Sequence, residues 1–214
     1  MKRFSLLLLA AALAVMGCDS SSKKTDTNSA SGNGGSDKKG SEAAADNETG
    51  RYALYKMLPV AHIWAADVKP VRLESAVLGG SDGHDGKASF WRATFGTAAR
   101  QKAETFTWSG IDSPDTPKGV NHGPEDSYNP ANRSAQGFDL AFLKIDTDEA
   151  FKVAQEHGGK QLLAKNPRQE VMYLLDWDSR DSSLNWHVIY GSSPSSAKLS
   201  VIVNASDGNF VHKE

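Results

Sequence analysis

The chain contains 214 residues, of which 24 are Lys or Arg and 26 are Asp or Glu, so its formal net charge at neutral pH is −2. This near balance, without a run of basic residues after residue 50, argues against a nucleic-acid-binding protein. The single cysteine, Cys18, excludes an intramolecular disulfide. The chain after residue 50 is long enough for one domain or for two small fused units.

The first 17 residues have the pattern of an export signal. Lys2 and Arg3 precede an apolar run of 11 residues, Leu6 to Met16, which is shorter than the roughly 20 residues that a membrane-spanning helix needs. A charged start, a short apolar segment and small residues at its end are typical of a signal peptide that is removed after export. The sequence therefore predicts a signal peptide over residues 1–17 and an extracytoplasmic protein.

The end of this segment, Val15-Met16-Gly17-Cys18, resembles the lipobox of bacterial lipoproteins. The resemblance implies lipid attachment to the Cys18 sulfur, cleavage before Cys18 and acylation of the new amino group by a fatty acid such as palmitate. Two or more acyl chains anchor a protein stably, whereas a single chain binds only reversibly. The lipid membrane is therefore a predicted partner through acylated Cys18. The alternative is an ordinary signal peptide followed by an unrelated cysteine.

Residues 18–50 are predicted to form a lipidated start and a disordered tether. Residues 19–50 contain no Val, Ile, Leu, Met, Phe, Trp or Tyr, so they cannot bury enough apolar surface to offset the conformational entropy of folding. A flexible coil of this length has a root-mean-square span of about 30 Å. The sequence thus predicts a globular part held above a cell membrane, in the periplasm or at the cell surface.

Residues 51–110 are predicted to form a helix followed by three strands. Apolar residues recur at helical spacing from Leu54 to Val68, and the helix is expected to begin near Pro59 and to end before Pro70. Alternating apolar residues and aromatic segments then indicate strands. These strands are expected at 71–77, 88–97 and 103–110.

Residues 111–137 are predicted to form a polar loop, because they contain four prolines and almost no large apolar residue. Loops of this length are usually either functional or disordered.

Residues 138–214 are predicted to form a second helix-plus-strands unit. Asp146 resembles an N-cap with Glu149 three residues on, and Gly158-Gly159 is expected to end the helix. Strands are expected at 170–177, 185–191 and 198–205, with a short last strand near 206–211. Successive strands joined by short turns favour antiparallel pairing. The predicted fold class is α+β, with a helix packed on one face of each antiparallel sheet.

Parts of this second unit look like a PepSY-type domain: a helix ending in a double glycine, the strand "WHVIY" and the closing "VIVNASDGNFV", within residues 147–212. Asn204-Ala205 stands where that family commonly has Asp-Ala. The resemblance implies an extracytoplasmic binding or regulatory module, with protease inhibition proposed for some members. The first unit is then a candidate for a diverged tandem copy.

Motifs with defined chemistry are absent from the sequence: there is no P-loop, H-E-x-x-H, C-x-x-C or G-x-S-x-G. No catalytic, cofactor-binding or metal-ligating residue is therefore predicted. Two acid–histidine groups remain as weaker candidates. The first, which also suits an ordinary turn, contains Asp82, His84 and Asp85. The second, in the polar loop, contains His122, Glu125 and Asp126.

Other conspicuous side chains are expected to have structural roles. His187 is expected to lie on a strand surface, and aromatic residues at strand spacing more often form core than line a ligand groove. The core is therefore expected to contain tryptophans from the set Trp64, Trp91, Trp108, Trp177 and Trp186.

Two functions remain open. The first is a membrane-anchored module that binds an envelope protein or peptide through a sheet face or edge. The second is a small envelope hydrolase that uses the loops around His84 and His122. Catalytic groups must lie within hydrogen-bond reach of one substrate, so the second function requires these two loops to converge.

Overall fold

The computed structural model describes residues 45–214, which form an α+β fold. One eight-stranded antiparallel sheet is packed on one face by helices, as the sequence predicts. The predicted signal peptide, Cys18 and residues 19–44 of the predicted tether lie outside the described residues.

Each of two helical regions is followed by a group of strands, and the short strand β1 of the first group precedes its helix. Helix α1 spans Gly50–Trp64, α2 spans Thr147–Ala154, and α3 spans Lys160–Lys165 after a wider π-type turn at Gln155–Gly159. The first group of strands contains β1 (Glu48–Thr49), β2 (Lys69–Ala76), β3 (Lys87–Ala88), β4 (Phe90–Thr97), β5 (Lys102–Ser109) and β6 (Gly119–Ser127). The second contains β7 (Met172–Asp178), β8 (Ser183–Ile189), β9 (Ser200–Asn204) and β10 (Phe210–Lys213).

The main sheet grows outward from its centre in chain order. Its strand order is β10-β9-β8-β7-β2-β4-β5-β6, and β1 and β3 form a separate ribbon. The central strands β2 and β7 pair antiparallel, with Leu73 opposite Leu175. Each half of the sheet therefore contains the strands that follow one of the two helical regions.

The two halves of the sheet share one local contact, which is made by a tryptophan on the second long strand of each half. The indole N–H of Trp91 in β4 donates to the carbonyl of Glu48 at 2.9 Å, two residues before α1 begins. The indole N–H of Trp186 in β8 donates to the carbonyl of Ile145 at 2.9 Å, two residues before α2 begins. This correspondence indicates an internal repeat of one helical region and four strands. The first half has four strands in the main sheet instead of the three expected, because β6 lies in the predicted loop.

The hydrophobic core lies between the sheet and the helices. Buried residues Ala53, Leu54 and Met57 of α1 and Ala150 and Ala154 of α2 belong to one cluster with the sheet. The sheet contributes large buried side chains to it: Trp91, Phe95, Phe106, Tyr173, Leu175, Trp186, Val188, Val201 and Val203. Both helices therefore cover the same face of the sheet.

The start of α1 differs from the sequence prediction. The helix begins at Gly50, nine residues before Pro59, and Pro59 lies inside it on an exposed position. A proline inside a helix removes one backbone hydrogen bond. Here the buried apolar positions on both sides of Pro59, Met57 and Ala61, hold the helix on the sheet, so packing outweighs the proline.

The predicted tether is too long at its carboxyl end. The Asp46 amide donates to the Gly110 carbonyl at 3.1 Å, and Glu48–Thr49 pairs with Lys87–Ala88. These contacts are made by backbone groups, which the apolar content of the sequence does not reveal. The ordered part of the chain therefore includes residues 45–50.

The predicted loop 111–137 contains strand β6, which is an edge strand of the main sheet. Val120 lies opposite Trp108, and the pairing of β6 with β5 shifts register between Glu104 and Phe106. Pro124 falls at this irregularity, on an edge strand, where the missing N–H of proline is tolerated. Few apolar residues are needed in an edge strand, which explains why composition alone did not reveal it.

Strand β9 is buried on both of its faces. Val201 and Val203 lie in the core, but Ser200 and Ile202 on the opposite side are buried as well. Strand β9 is therefore covered on both faces, and Ser200 is not a solvated position.

Gly50 is expected to tolerate no larger residue. A Cβ atom there would lie 2.5 Å from the Trp186 ring and 3.1 Å from the Trp91 ring, and both rings are fully buried. We expect Gly50→Ala to lower the free energy of unfolding by about 1–3 kcal/mol through overpacking. Urea denaturation measures this change. Gly123→Ala, where the nearest atom is 3.7 Å away, should be nearly neutral, and an equal loss in both variants would contradict the packing described.

Candidate functional site

The candidate site lies on the face of the main sheet opposite α1 and α2, here called the open face. Strand residues alternate in direction, so the neighbours of the core residues point to this face. The side chains that form its centre come from β2, β4, β7, β8 and β9: Arg72, Glu74, Arg92, Leu174, Asp176, Asn185, His187 and Ile202.

Five charged or titratable side chains form a continuous network across four strands of the open face. Glu74 accepts from Arg72 Nε at 3.1 Å and from Arg92 Nη1 at 3.2 Å. Asp176 lies 3.8 Å from Arg72 Nη1 and 3.0 Å from His187 Nε2. Because these groups are partly exposed, each pair contributes only about 0–1 kcal/mol to stability. The network therefore gives the face a fixed charge pattern more than it stabilises the fold.

Asn185 lies beside this network and has an unsatisfied polar atom. Its side chain is 3 % exposed, and its Nδ2 donates to Ser183 Oγ at 2.9 Å. Its Oδ1 is buried and accepts from no group in residues 45–214. Buried polar atoms are nearly always paired, and an unpaired one costs about 1–3 kcal/mol. Such an atom in a native protein is commonly completed by an ordered water or a bound group.

Apolar side chains adjoin the network on the same face. Met172, Leu174 and Ile189 form a second, smaller hydrophobic cluster, against which Ala197 packs. Ile202 is 1 % exposed and lies opposite His187. The four of these apolar side chains other than Ala197 are buried, at 1–5 % exposure, so the accessible part of the centre of this face consists of the charged side chains.

The first acid–histidine group has a local structural role. The Asp82 carboxylate accepts from the His84 amide at 3.0 Å, and the Asp85 carboxylate accepts from the Lys87 amide at 3.0 Å. His84 Nε2 lies 2.6 Å from the Gln169 carbonyl. These are turn-stabilising contacts of the type that Asp side chains make.

The second acid–histidine group lies on strand β6. His122 Nδ1 is 2.5 Å from the buried carboxylate of Glu104, and the His122 ring stacks on Phe106. Glu125 instead binds Trp64 Nε1 at 2.8 Å, and Asp126 accepts from the neighbouring Ser127 amide. These contacts therefore hold the edge strand β6 against β5 and α1.

The two acid–histidine groups do not converge. His84 is bonded to the segment that leads into β7, whereas His122 is on β6, four strands away in the sheet. At about 4.8 Å between neighbouring strands, this corresponds to roughly 19 Å across the sheet. In the described part of the chain, no group of three or more His, Cys, Asp or Glu side chains is arranged to hold a metal ion. The hydrolase alternative therefore lacks a shared site for His84 and His122.

Glu125 makes a pH-dependent contribution that can be measured. The N–H of Trp64, followed by Arg100, holds the pKa of Glu125 below its usual range. A lowered pKa in the folded state stabilises the protein above pH 4.5, and this stabilisation is lost as the pH falls through the lower folded value. We expect Glu125→Gln to lower the urea midpoint at pH 7 and to have a smaller effect at pH 3. A larger effect at pH 3 would contradict this pairing.

Comparisons with known proteins bear on the fold. No family model and no curated protein match the chain. The chain is similar in structure to a protein from Clostridium difficile 630 that is provisionally described as a lipoprotein, with a TM-score of 0.50 and 12 % identity. The match covers 76 % of this chain and 91 % of the other. This likeness supports the fold. The PepSY resemblance stays a prediction.

Most open-face residues were not identified from the sequence. The sequence placed His187 on a strand surface, and the structure places it beside Asp176. In the sequence, these residues are recognisable only as polar residues at alternating strand positions: Arg72, Glu74 and Asp176. Their proximity depends on the pairing of β2 with β7, two strands about 100 residues apart in the chain.

The tryptophan prediction is confirmed for the three residues in or near the sheet core, Trp91, Trp108 and Trp186. Trp64 and Trp177 are only partly buried.

Among the described residues, no helix is long and apolar enough to cross a membrane.

Proposed function

We propose that this chain is an envelope lipoprotein, anchored to a cell membrane through acylated Cys18, that binds an extracytoplasmic protein or peptide on its open face. The anchor part of the proposal rests on the sequence at Val15–Cys18 and on the short apolar segment before it. The similar structure described as a lipoprotein is consistent with this role.

The observation that carries the binding part is the unpaired Oδ1 of Asn185 beside the network of Arg72, Asp176 and His187. A donor that reaches this buried atom, directly from a partner or through a bridging water, would remove a desolvation cost that the free protein bears. The extent of the charge network, which crosses four strands, favours a protein or peptide over a small metabolite.

The open face is a better candidate than the sheet edges. A peptide that extends a sheet needs free backbone groups along an edge strand. Edge strand β6 contains Pro124, Glu125 and Asp126, which are residues that discourage such pairing. The other edge strand, β10, has only four residues.

A regulatory role toward a protease is the specific form that the PepSY resemblance implies. The charge network of the open face supports this form of the proposal, because it extends over four strands, from Arg92 on β4 to His187 on β8. In this form of the proposal, the partner is a protease and the lipoprotein is its membrane-anchored regulator.

Site-specific photocrosslinking in intact cells tests the proposal. A photoreactive residue at Thr94 or Thr107, both half-buried on the open face, should give a discrete crosslinked adduct with an envelope protein. The same residue at Lys152, on the helix side, is the control. We expect the Thr94 adduct to be lost in the additional variant Arg92→Glu. Equal adducts from both sides of the sheet, or no adduct from the open face, would contradict the proposal.

A further inference from the structure

Helix α1 has an unusual outer surface. Its exposed residues lie on one helical face at positions 52, 55, 56, 59, 62 and 63: Tyr52, Tyr55, Lys56, Pro59, His62 and Ile63. Tyr52 is 40 %, Tyr55 48 % and Ile63 86 % exposed. Surface helices normally carry charged and polar residues on the face away from the core, as α2 does with Glu149 and Lys152.

The charges of α1 are all of one sign. The helix contains Arg51 and Lys56 and no acidic residue. Two carboxylates beside it are already paired with cations: Asp146 lies 3.5 Å from Arg51, and Glu125 is bound by Arg100. Arg51 is half-buried and neutralised by Asp146, so the outer surface of α1 is aromatic, with Lys56 as its exposed cation.

A hollow beside the amino end of α1 brings Lys56 together with two tyrosines. It has a volume of about 470 Å³ and is lined by Arg51, Tyr52, Tyr55, Lys56 and Asp146. Lys56 Nζ lies 5.2 Å from the centre of the Tyr52 ring. Tyrosines whose rings are apolar and whose hydroxyls are polar, together with long basic side chains, are the residues enriched where proteins meet the membrane interface.

We infer that the outer face of α1 docks on an anionic lipid surface. The inference rests on the proposed anchor for the membrane's presence, because α1 is the first helix among the described residues and the chain before it leads back to Cys18. Basic side chains attract anionic lipid headgroups, and the exposed tyrosines and Ile63 add contact with the interface. Since α1 covers one face of the sheet, docking directs the open face away from the membrane, toward an extracytoplasmic partner.

Vesicle sedimentation tests this surface separately from the lipid anchor. The probe is the processed chain, residues 18–214, carrying Cys18→Ser so that no lipid is attached. We expect it to sediment with vesicles of phosphatidylcholine containing phosphatidylglycerol, and to be released by high salt. Pure phosphatidylcholine vesicles should bind it at least about fivefold more weakly, because basic side chains near an anionic surface each favour binding.

Two variants and a matched control locate the surface. Lys56→Glu and Tyr55→Ser should each weaken binding to the anionic vesicles, the first by about tenfold. Lys152→Glu, an equal charge reversal on α2, should weaken it much less. Circular dichroism and thermal melting check that the variants remain folded.

Three outcomes would overturn the inference: no binding to anionic vesicles, equal weakening by the Lys152 control, or a concentration-dependent dimer that Tyr55→Ser abolishes. The last outcome would assign the surface to a second copy of the chain. An unmodified Cys18 in cells would instead contradict the proposed anchor without affecting the vesicle result.

Discussion

Val201→Asp should prevent folding or lower the free energy of unfolding by about 4 kcal/mol or more. Val201 is fully buried on β9, opposite Val188 and in the core that α2 covers. The substitution places a carboxylate where no cation is available among its core neighbours, and burying an unpaired charge is among the most destabilising changes known. Urea denaturation followed by circular dichroism measures the loss.

The matched control is Asn204→Asp on the same strand. Asn204 is half-buried on the opposite side, and its Oδ1 accepts from the Ser206 amide at 2.8 Å. An aspartate keeps this acceptor and adds the same charge as Val201→Asp. We expect a change below about 1 kcal/mol. Similar losses in the two variants would mean that β9 is not oriented as described.

Cys18→Ser should abolish lipid attachment completely. The hydroxyl of serine does not replace the thiol that becomes the thioether, so the variant should remain as an unprocessed precursor or be processed differently and released. Intact-mass measurement of the wild-type protein should show a chain that begins at Cys18 and carries acyl chains. Ser21→Ala, three residues away, should be lipidated normally. A wild-type protein with an unmodified Cys18 thiol would contradict the proposed anchor.

The architecture could be predicted from the sequence because its main signals are local. Three of these signals depend only on residues that are close together in the sequence. They are the alternating pattern of β7 and β8, the Asp146 N-cap and the glycines at Gly158-Gly159 that end the helix. Those signals gave the α+β class and the helix-on-sheet packing. The start of α1 was placed too late because proline lowers helix propensity locally, whereas the position of the helix is set by contacts with strands far along the chain.

The edge strand β6 and the ordered residues 45–50 could not be predicted for a related reason. Both are held chiefly by backbone pairing and by single side-chain contacts, such as the Trp91 indole on the Glu48 carbonyl. Hydrophobic periodicity reports burial of side chains and contains no information on such bonds. The internal repeat is hidden in the same way, since its two tryptophan contacts end on backbone carbonyls.

The open face depends on strand order even more strongly. Asp176 meets Arg72 only because β7 pairs with β2 rather than with another strand. The sequence motifs that drew attention, around His84 and His122, are turn and edge contacts instead. A surface assembled from five strands has no contiguous motif, and its most informative atom, Asn185 Oδ1, is recognised only once its surroundings are known.

The most direct test of the binding face is a paired measurement on Asn185→Leu. The substitution removes a buried polar atom that lacks a partner in the free protein, so the free energy of unfolding should rise by about 1 kcal/mol. The same substitution removes the acceptor proposed to receive a partner's donor, so the crosslinking yield from Thr94 should fall several-fold. A gain in stability with a loss of binding is expected of a residue retained for function. A loss of stability with an unchanged crosslinking yield would contradict the proposed binding face.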